Sequence, residues 1–326
     1  MSITKTANLP VSPDDAFAMI TEPERLRRWL AVTARVDLHA GGSYRWTVTP
    51  GNFASGVYKE IVPGKLISFT WGWDWSGDIG PDASVVTITI EPTDTGSLVT
   101  LVHDGLPVEE EPGHIEGWDH FLERLELVAT TGDAGPDAWA ASPEDIDPLK
   151  AAEASLAVIQ GVLRKLTRED QAKQTPCADY DGHALALHLF GSLIGVGSMV
   201  GADVVTPEGG SLEDKVSTMA TTVIDKMRER GIDGEVTGPV GPMPAVIATN
   251  ILSIEFLIHG WDFAQTSGQP ITVSDELVDY VQGQAEAIIN GSRERGAFAA
   301  EAVASIDATA LDRFAAFAGR AIPVSV

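Results

Sequence analysis

The stretch Ile251-Leu-Ser-Ile-Glu-Phe-Leu-Ile-His-Gly-Trp-Asp-Phe-Ala264 places a carboxylate, Glu255, and an imidazole, His259, one helical turn apart inside an otherwise apolar segment. On a helix, residues i and i+4 share a face with Cβ atoms roughly 5–6 Å apart, close enough for both side chains to meet one cation. Burying a carboxylate without a partner is costly, so a fold that encloses Glu255 must supply a strong one. Two partners remain open from these residues alone: a divalent metal ion, or His259 itself in a hydrogen-bonded core pair.

Spacing does not single this pair out. Four of the seven histidines have an acidic residue four positions before them: His114 after Glu110, His120 after Glu116, His183 after Asp179, and His259 after Glu255. Glu110 to His114 runs through Glu-Pro-Gly and is expected to be non-helical, and Asp179 to His183 lies in a loop-like Cys-Ala-Asp-Tyr-Asp-Gly. Glu116 and His120 share a helix whose apolar stripe is Trp118, Phe121, Leu122 and Leu125, which leaves them on a polar flank as a solvated pair. Only Glu255 and His259 have apolar neighbours on nearly every side.

A chain of 326 residues favours two domains, each large enough for its own core. One cysteine, Cys177, excludes an internal disulfide framework and any cysteine-rich zinc site. The net charge of −25 argues against nucleic acid and anionic membranes as partners. No apolar run is expected to reach the roughly 18 residues of a membrane span, and the polar, proline-containing start is no signal peptide, so the expected location is cytoplasmic.

The first half alternates like a sheet interrupted by helices. Ile3 to Leu9 reads as a strand, Ser12-Pro-Asp-Asp opens a helix with Ser12 as N-cap, and a second helix is expected at Glu22 to Trp29. Strands are predicted at 34–38, 42–49, 54–61, 66–73, 84–92 and 97–104, before a long helix over 112–130. That order predicts an α+β domain in which a curved antiparallel sheet wraps the final helix and leaves a cavity. Tyr44, Trp46, Phe69, Trp71, Trp73 and Trp75 are spaced by two and share one face. Together with Trp29 and Trp118 they either line that cavity or fill the core.

Val11-Ser-Pro-Asp-Asp-Ala-Phe, Glu22-Pro-Glu-Arg-Leu-Arg-Arg-Trp, Gly41-Gly-Ser-Tyr-Arg, the run from Gly56 to Trp71, Val99-Thr-Leu-Val-His-Asp-Gly-Leu and Gly117-Trp118 occur in one order. In these pieces residues 3–130 resemble the SRPBCC or START-like superfamily, in the branch similar to activators of Hsp90 ATPase. The resemblance implies a START-like ligand-binding domain over 1–131 and leaves function open, because the superfamily includes lipid carriers and cyclases. Residues 132–147, rich in Gly, Pro and acid, read as a linker.

From 148 to 326 the pattern is helical, with apolar stripes over 151–166, 182–200, 212–230, 244–266 and 276–290. Four long helices predict an all-α bundle, and a bundle core is a common place for a metal held from facing helices. A third ligand should lie on another helix, where His188 sits in Ala-Leu-Ala-Leu-His-Leu-Phe-Gly; by itself a histidine on such a face is more often a hydrogen-bonded core residue than a ligand. Thr175-Pro-Cys-Ala-Asp-Tyr followed by His188, Pro244 followed by Glu255 and His259-Gly-Trp-Asp, and a tail from Gly296-Ala-Phe to Gly319-Arg320 carry a second resemblance. This part is similar to the actinobacterial DinB-like metal-binding bundles related to the N-terminal domain of mycothiol-dependent maleylpyruvate isomerase. The resemblance implies His188, Glu255 and His259 as ligands of Zn2+ or another divalent ion, with mycothiol or a similar thiol as co-substrate. Tyr180 departs from it, standing where tryptophan is usual.

Two histidines and one glutamate leave a tetrahedral zinc with an open position, which lowers the pKa of a water or thiol. The expected function is therefore zinc-assisted isomerisation or thiol transfer on a small molecule, the catalytic group beyond the metal being unknown. Asp262 is either a hydrogen-bond partner behind a ligand or a helix-surface residue. Cys177 is either a reactive thiol near a helix start or a small packing residue. No nucleophile elbow, Walker A loop or dinucleotide fingerprint occurs. The alternative is a non-catalytic binding or stress-response protein with a structural metal; a homodimer suits either reading.

Overall fold

A computed structural model describes residues 2–74 and 79–322, so Trp75 lies outside the described residues. The chain divides into two compact units, Met1–Gly135 and Pro136–Val326.

The first unit begins with strand β1 (Ser2–Leu9) and helices α1 (Pro13–Thr21) and α2 (Pro23–Leu26). Six strands follow: β2 (Thr33–Val36), β3 (Ser43–Thr49), β4 (Asn52–Val62), β5 (Leu66–Trp73), β6 (Ser84–Thr93) and β7 (Gly96–Asp104). Helix α3 (Glu111–Thr131) closes it. The strands form one antiparallel sheet in the order β1-β7-β6-β5-β4-β3-β2, a meander in which the first strand returns beside the last. Register shifts in β3/β4 and β4/β5 mark irregularities that bend such a sheet. Ser12 caps α1 by accepting the Asp15 N–H at 3.2 Å, as its position before Pro13 predicts. The second helix is shorter than expected: it ends at Leu26, and Trp29 turns in to donate its indole N–H to the Met19 carbonyl at 3.0 Å.

Alternation holds along the strands. Tyr44, Trp46 and Val48 of β3, Ile67, Phe69 and Trp71 of β5, and Val86, Ile88 and Ile90 of β6 are buried, and they meet Trp118, Phe121, Leu122 and Leu125 of α3 in one core. His103 on β7 lies in register with Ile3 on one side and Val86 on the other, which directs it inward.

The second unit is helical. The segment expected as a linker carries a one-turn helix, α4 (Ala138–Ala141), capped by the Asp137 carboxylate, and Ala141 joins the core of this unit. Then come α5 (Pro148–Leu163), α6 (Arg168–Gln171), α7 (Gly182–Val200) and α8 (Leu212–Arg230). A short hairpin of β8 (Glu235–Gly238) and β9 (Gly241–Pro244), absent from the sequence reading, leads to α9 (Ala245–Ser267), α10 (Asp275–Glu294) and α11 (Ala310–Phe317). Helix α9 packs against α5 and α7, and α8 against the same two, so the four close a ring. Helix α7 corrects one expectation: over 19 residues it is long and apolar enough, by length and composition, to cross a membrane. In this fold it packs on α8 and α9.

Candidate metal centre and ligand cavity

Helix α9 is apolar all round because it is surrounded, and Ile254, Phe256, Leu257 and Ile258 are all buried. Glu255 and His259 project together from it, as i and i+4 require, and meet His188 from the second turn of α7. The Nε2 atoms of His188 and His259 lie 3.4 and 3.5 Å from Glu255 Oε2, and the three ligand atoms fall within 4.8 Å of one another. Bonds of 2.0–2.2 Å from a tetrahedral zinc imply ligand-to-ligand edges of about 3.3–3.6 Å. Glu255 Oε2 is buried and accepts no hydrogen bond among the described residues. Such a carboxylate oxygen between two imidazole nitrogens at the edge length of a zinc tetrahedron is a donor set that fits a divalent cation.

The charges around it are strongly coupled. Burial alone would raise the Glu255 pKa, but the two imidazoles outweigh it and hold the carboxyl well below the usual carboxylate range. Burial would lower His259, and the Asp262 and Glu255 carboxylates reverse that and push it up to about 9. His259 Nδ1 donates to Asp262 Oδ2 at 2.9 Å, which leaves Nε2 facing Glu255. The buried Arg320 donates to both oxygens of Asp262, at 3.0 and 3.3 Å, so the carboxylate behind His259 is itself fixed. Tyr180 stacks on His188 with ring centroids 5.0 Å apart and an interplanar angle of 27°. Cys177 is half-buried, and burial pushes its thiol pKa up despite the nearby Arg320. That is the setting of a packing residue rather than an activated nucleophile.

In the first unit a cavity of about 260 Å³ opens between the sheet and α3. Trp71, Trp73, Trp118 and Phe121 form its apolar wall, with Asn52 and Glu110 as polar groups. Beside it lies a buried relay. The Trp118 indole donates to His103 Nδ1 at 3.1 Å, His103 Nε2 then donates to Ser84 Oγ at 2.8 Å, and the Ser84 hydroxyl donates to the Trp71 carbonyl at 3.0 Å. The Trp71 indole donates to His114 Nε2 at 3.2 Å, and His114 Nδ1 donates to the Glu110 carbonyl at 2.9 Å. Both histidines are held neutral in one tautomer. Burial, aided by His114, pushes His103 down to about 3, and burial also lowers His114 against the pull of Glu110. The indoles are locked in turn, which fixes the cavity wall.

Residues 10–130 match the activator of Hsp90 ATPase homolog 1-like (AHSA1-like) protein family. An AHSA1-like protein from Rhizobium etli is 36% identical to this chain over 45% of its residues and 92% of the relative, with a TM-score of 0.37. The chain belongs to this family through its first unit. DynU16, from the dynemicin biosynthetic locus, is 21% identical over 41% of this chain, with a TM-score of 0.37. The chain spans about half of DynU16, 48% of its length. Uncharacterized protein Rv0738 of Mycobacterium tuberculosis is 24% identical over 182 residues, 54% of this chain and 100% of the relative. That match is longer than the AHSA1-like unit, so it includes part of the helical one.

Of the rings expected along the AHSA1-like cavity, Trp71, Trp73 and Trp118 line it, while Trp29, Tyr44, Trp46 and Phe69 are packed into the core away from its wall. Tyr44 is turned by its hydroxyl, which donates to the Thr70 carbonyl at 2.7 Å, and Trp46 packs edge-on against Trp71 at 6.2 Å. The stretch from Glu110 to His114 corrects a further expectation: it is helical from Glu111 on, with Glu110 as N-cap and Pro112 in the first turn, where a missing N–H breaks no bond. The sequence assigned no site role to His103 or His114 in this unit, nor to Arg320 in the other. The inward register of His103 was readable from the alternation Val99, Leu101, His103; Arg320 closes the tail motif, but nothing local pointed to its pairing with Asp262.

Proposed function

We propose that the helical unit is a DinB-like metal-dependent enzyme that uses zinc, or a similar divalent ion, for isomerisation or thiol transfer on a small molecule. Mycothiol or a related low-molecular-weight thiol is the co-substrate in this reading. The observation that carries it is the buried Glu255 oxygen, which accepts no hydrogen bond among the described residues and faces His188 and His259 at tetrahedral edge lengths. A zinc ion held there supplies Lewis acidity and favours the thiolate of a thiol near neutral pH. The chain's own residues supply the rest. Asp262 keeps the His259 proton on Nδ1 and so presents Nε2 toward the site, Arg320 holds Asp262, and His188, Glu255 and His259 would hold the ion. The AHSA1-like unit contributes a cavity for an apolar small molecule, in keeping with its aromatic wall.

A second reading is favoured by that cavity: a small-molecule-binding protein whose metal is structural. Thermal-shift titration of the zinc-loaded full chain with low-molecular-weight thiols separates the two. The enzyme reading expects stabilisation by a thiol in the wild type and none in His188→Ala. Stabilisation by aromatic ligands alone, with thiols inert, supports the binding protein and refutes the enzyme.

A further inference from the structure

The two histidines of the metal centre are held by different means. His259 is nearly enclosed and its Nδ1 is anchored by Asp262 at 2.9 Å. The His188 side chain is 32% exposed, its Nε2 faces Glu255, and among the described residues no group bonds its Nδ1. A ligand imidazole without an anchor on its far nitrogen is free to turn about its last torsion, which lowers the fraction of time it points at the metal. What meets the His188 ring instead is a flat face. Tyr180 lies nearly parallel to it, 5.0 Å between centroids, while His259 meets it edge-on at 5.0 Å and 86°.

The backbone that carries Tyr180 is built to hold that ring in place. Residues 174–181 fold back on themselves, with Gln174 bridged to Asp181 and the Tyr180 N–H donating to the Cys177 carbonyl at 3.0 Å. Three donors converge on the Tyr180 carbonyl: the Thr175 N–H at 3.2 Å, the Thr175 hydroxyl at 2.6 Å and the Gln174 side-chain amide at 2.9 Å. Asp181 then caps α7 by accepting the Ala184 N–H at 2.7 Å, so loop and helix are joined rigidly at the residue after Tyr180. The Tyr180 hydroxyl makes no hydrogen bond among the described residues, so its ring face, and not its oxygen, is what the loop presents.

We infer that Tyr180 is a positioning residue for the metal centre: its ring, carried on a backbone that Gln174 and Thr175 fix at the carbonyl, orients His188 by stacking on it, as Asp262 orients His259 by a hydrogen bond. The inference rests on the metal reading above and adds to it a residue that touches no metal.

Zinc affinity of the full chain, measured by competition with a chromophoric chelator, tests it in wild type, Tyr180→Phe and Tyr180→Leu. Thermal melting of the chelator-treated proteins serves as the fold control. Tyr180→Phe should stay within about twofold of wild type, and Tyr180→Leu should weaken zinc about tenfold, the lower end of what outer partners of metal ligands contribute, with the metal-free melting temperature unchanged. Equal affinity in Tyr180→Leu overturns the inference. So does a loss that only tracks a fall in metal-free stability, or a Tyr180→Phe as weak as Tyr180→Leu. A wild type that binds no zinc overturns the metal reading itself.

Discussion

His103 gives the first unit a predictable acid sensitivity. The imidazole is fully buried, accepts from Trp118 and donates to Ser84, and burial next to His114 pushes its pKa down to about 3. In the unfolded chain it returns to about 6.5. Between those values the unfolded state binds a proton that the folded state refuses, so the stability due to neutral His103 is complete above pH 6.5 and is lost as pH falls toward 3. From pH 7 to pH 5 the linkage relation gives a loss of about 2 kcal/mol from this residue, and His114, also lowered, acts in the same direction. Urea unfolding at the two pH values, followed by tryptophan fluorescence, measures the drop. His103→Gln removes the titrating group, and its drop should be smaller than that of the wild type by about 2 kcal/mol. Equal drops in the two proteins would refute the account of a neutral histidine between two tryptophans.

Other consequences follow from the same geometry. Asp262→Asn leaves the buried Arg320 guanidinium against a neutral amide; urea titration of the metal-free protein should show a loss of about 3–5 kcal/mol, and zinc affinity should fall roughly 10–100-fold. A stability change under about 1 kcal/mol would contradict the pairing. Gly117 lines the cavity and nothing lies within 4 Å of where its side chain would begin. Gly117→Leu should therefore fill the space, weaken binding of an apolar probe such as 2-naphthol by tenfold or more, and leave stability equal or about 0.5–1 kcal/mol higher through helix propensity; unchanged probe binding would place the ligand elsewhere.

What was legible in the sequence was local. Period-two alternation set the inward face of β3, β5 and β6, and helical spacing set Glu255 and His259 on one face of a buried helix, because both are short-range consequences of backbone geometry. The seven-stranded antiparallel sheet and the helical second unit follow from that patterning. Alternation does not say which inward rings meet a helix and which meet a void, so Tyr44, Trp46 and Phe69 were indistinguishable from Trp71 and Trp73 until α3 was placed. Arg320 reaches Asp262 from 58 residues away in sequence, and no periodicity encodes that. The helix expected from Pro112 begins one residue earlier, at Glu111, which brings Glu110 to its N-cap and His114 into its first turn; a first-turn proline breaks no bond there. The β8–β9 hairpin escaped because its two strands are each four residues long and β9, Gly-Pro-Met-Pro, is mostly Gly and Pro.

The central claim is that His188, Glu255 and His259 hold a divalent ion. Elemental analysis of the full chain purified without chelator tests it most directly, in wild type and in His188→Ala and Glu255→Gln. The account predicts about one zinc or similar ion per wild-type chain and little in either variant, with the variants' first unit still folded by circular dichroism. No stoichiometric metal in the wild type, or the same metal content after His188→Ala, would contradict it.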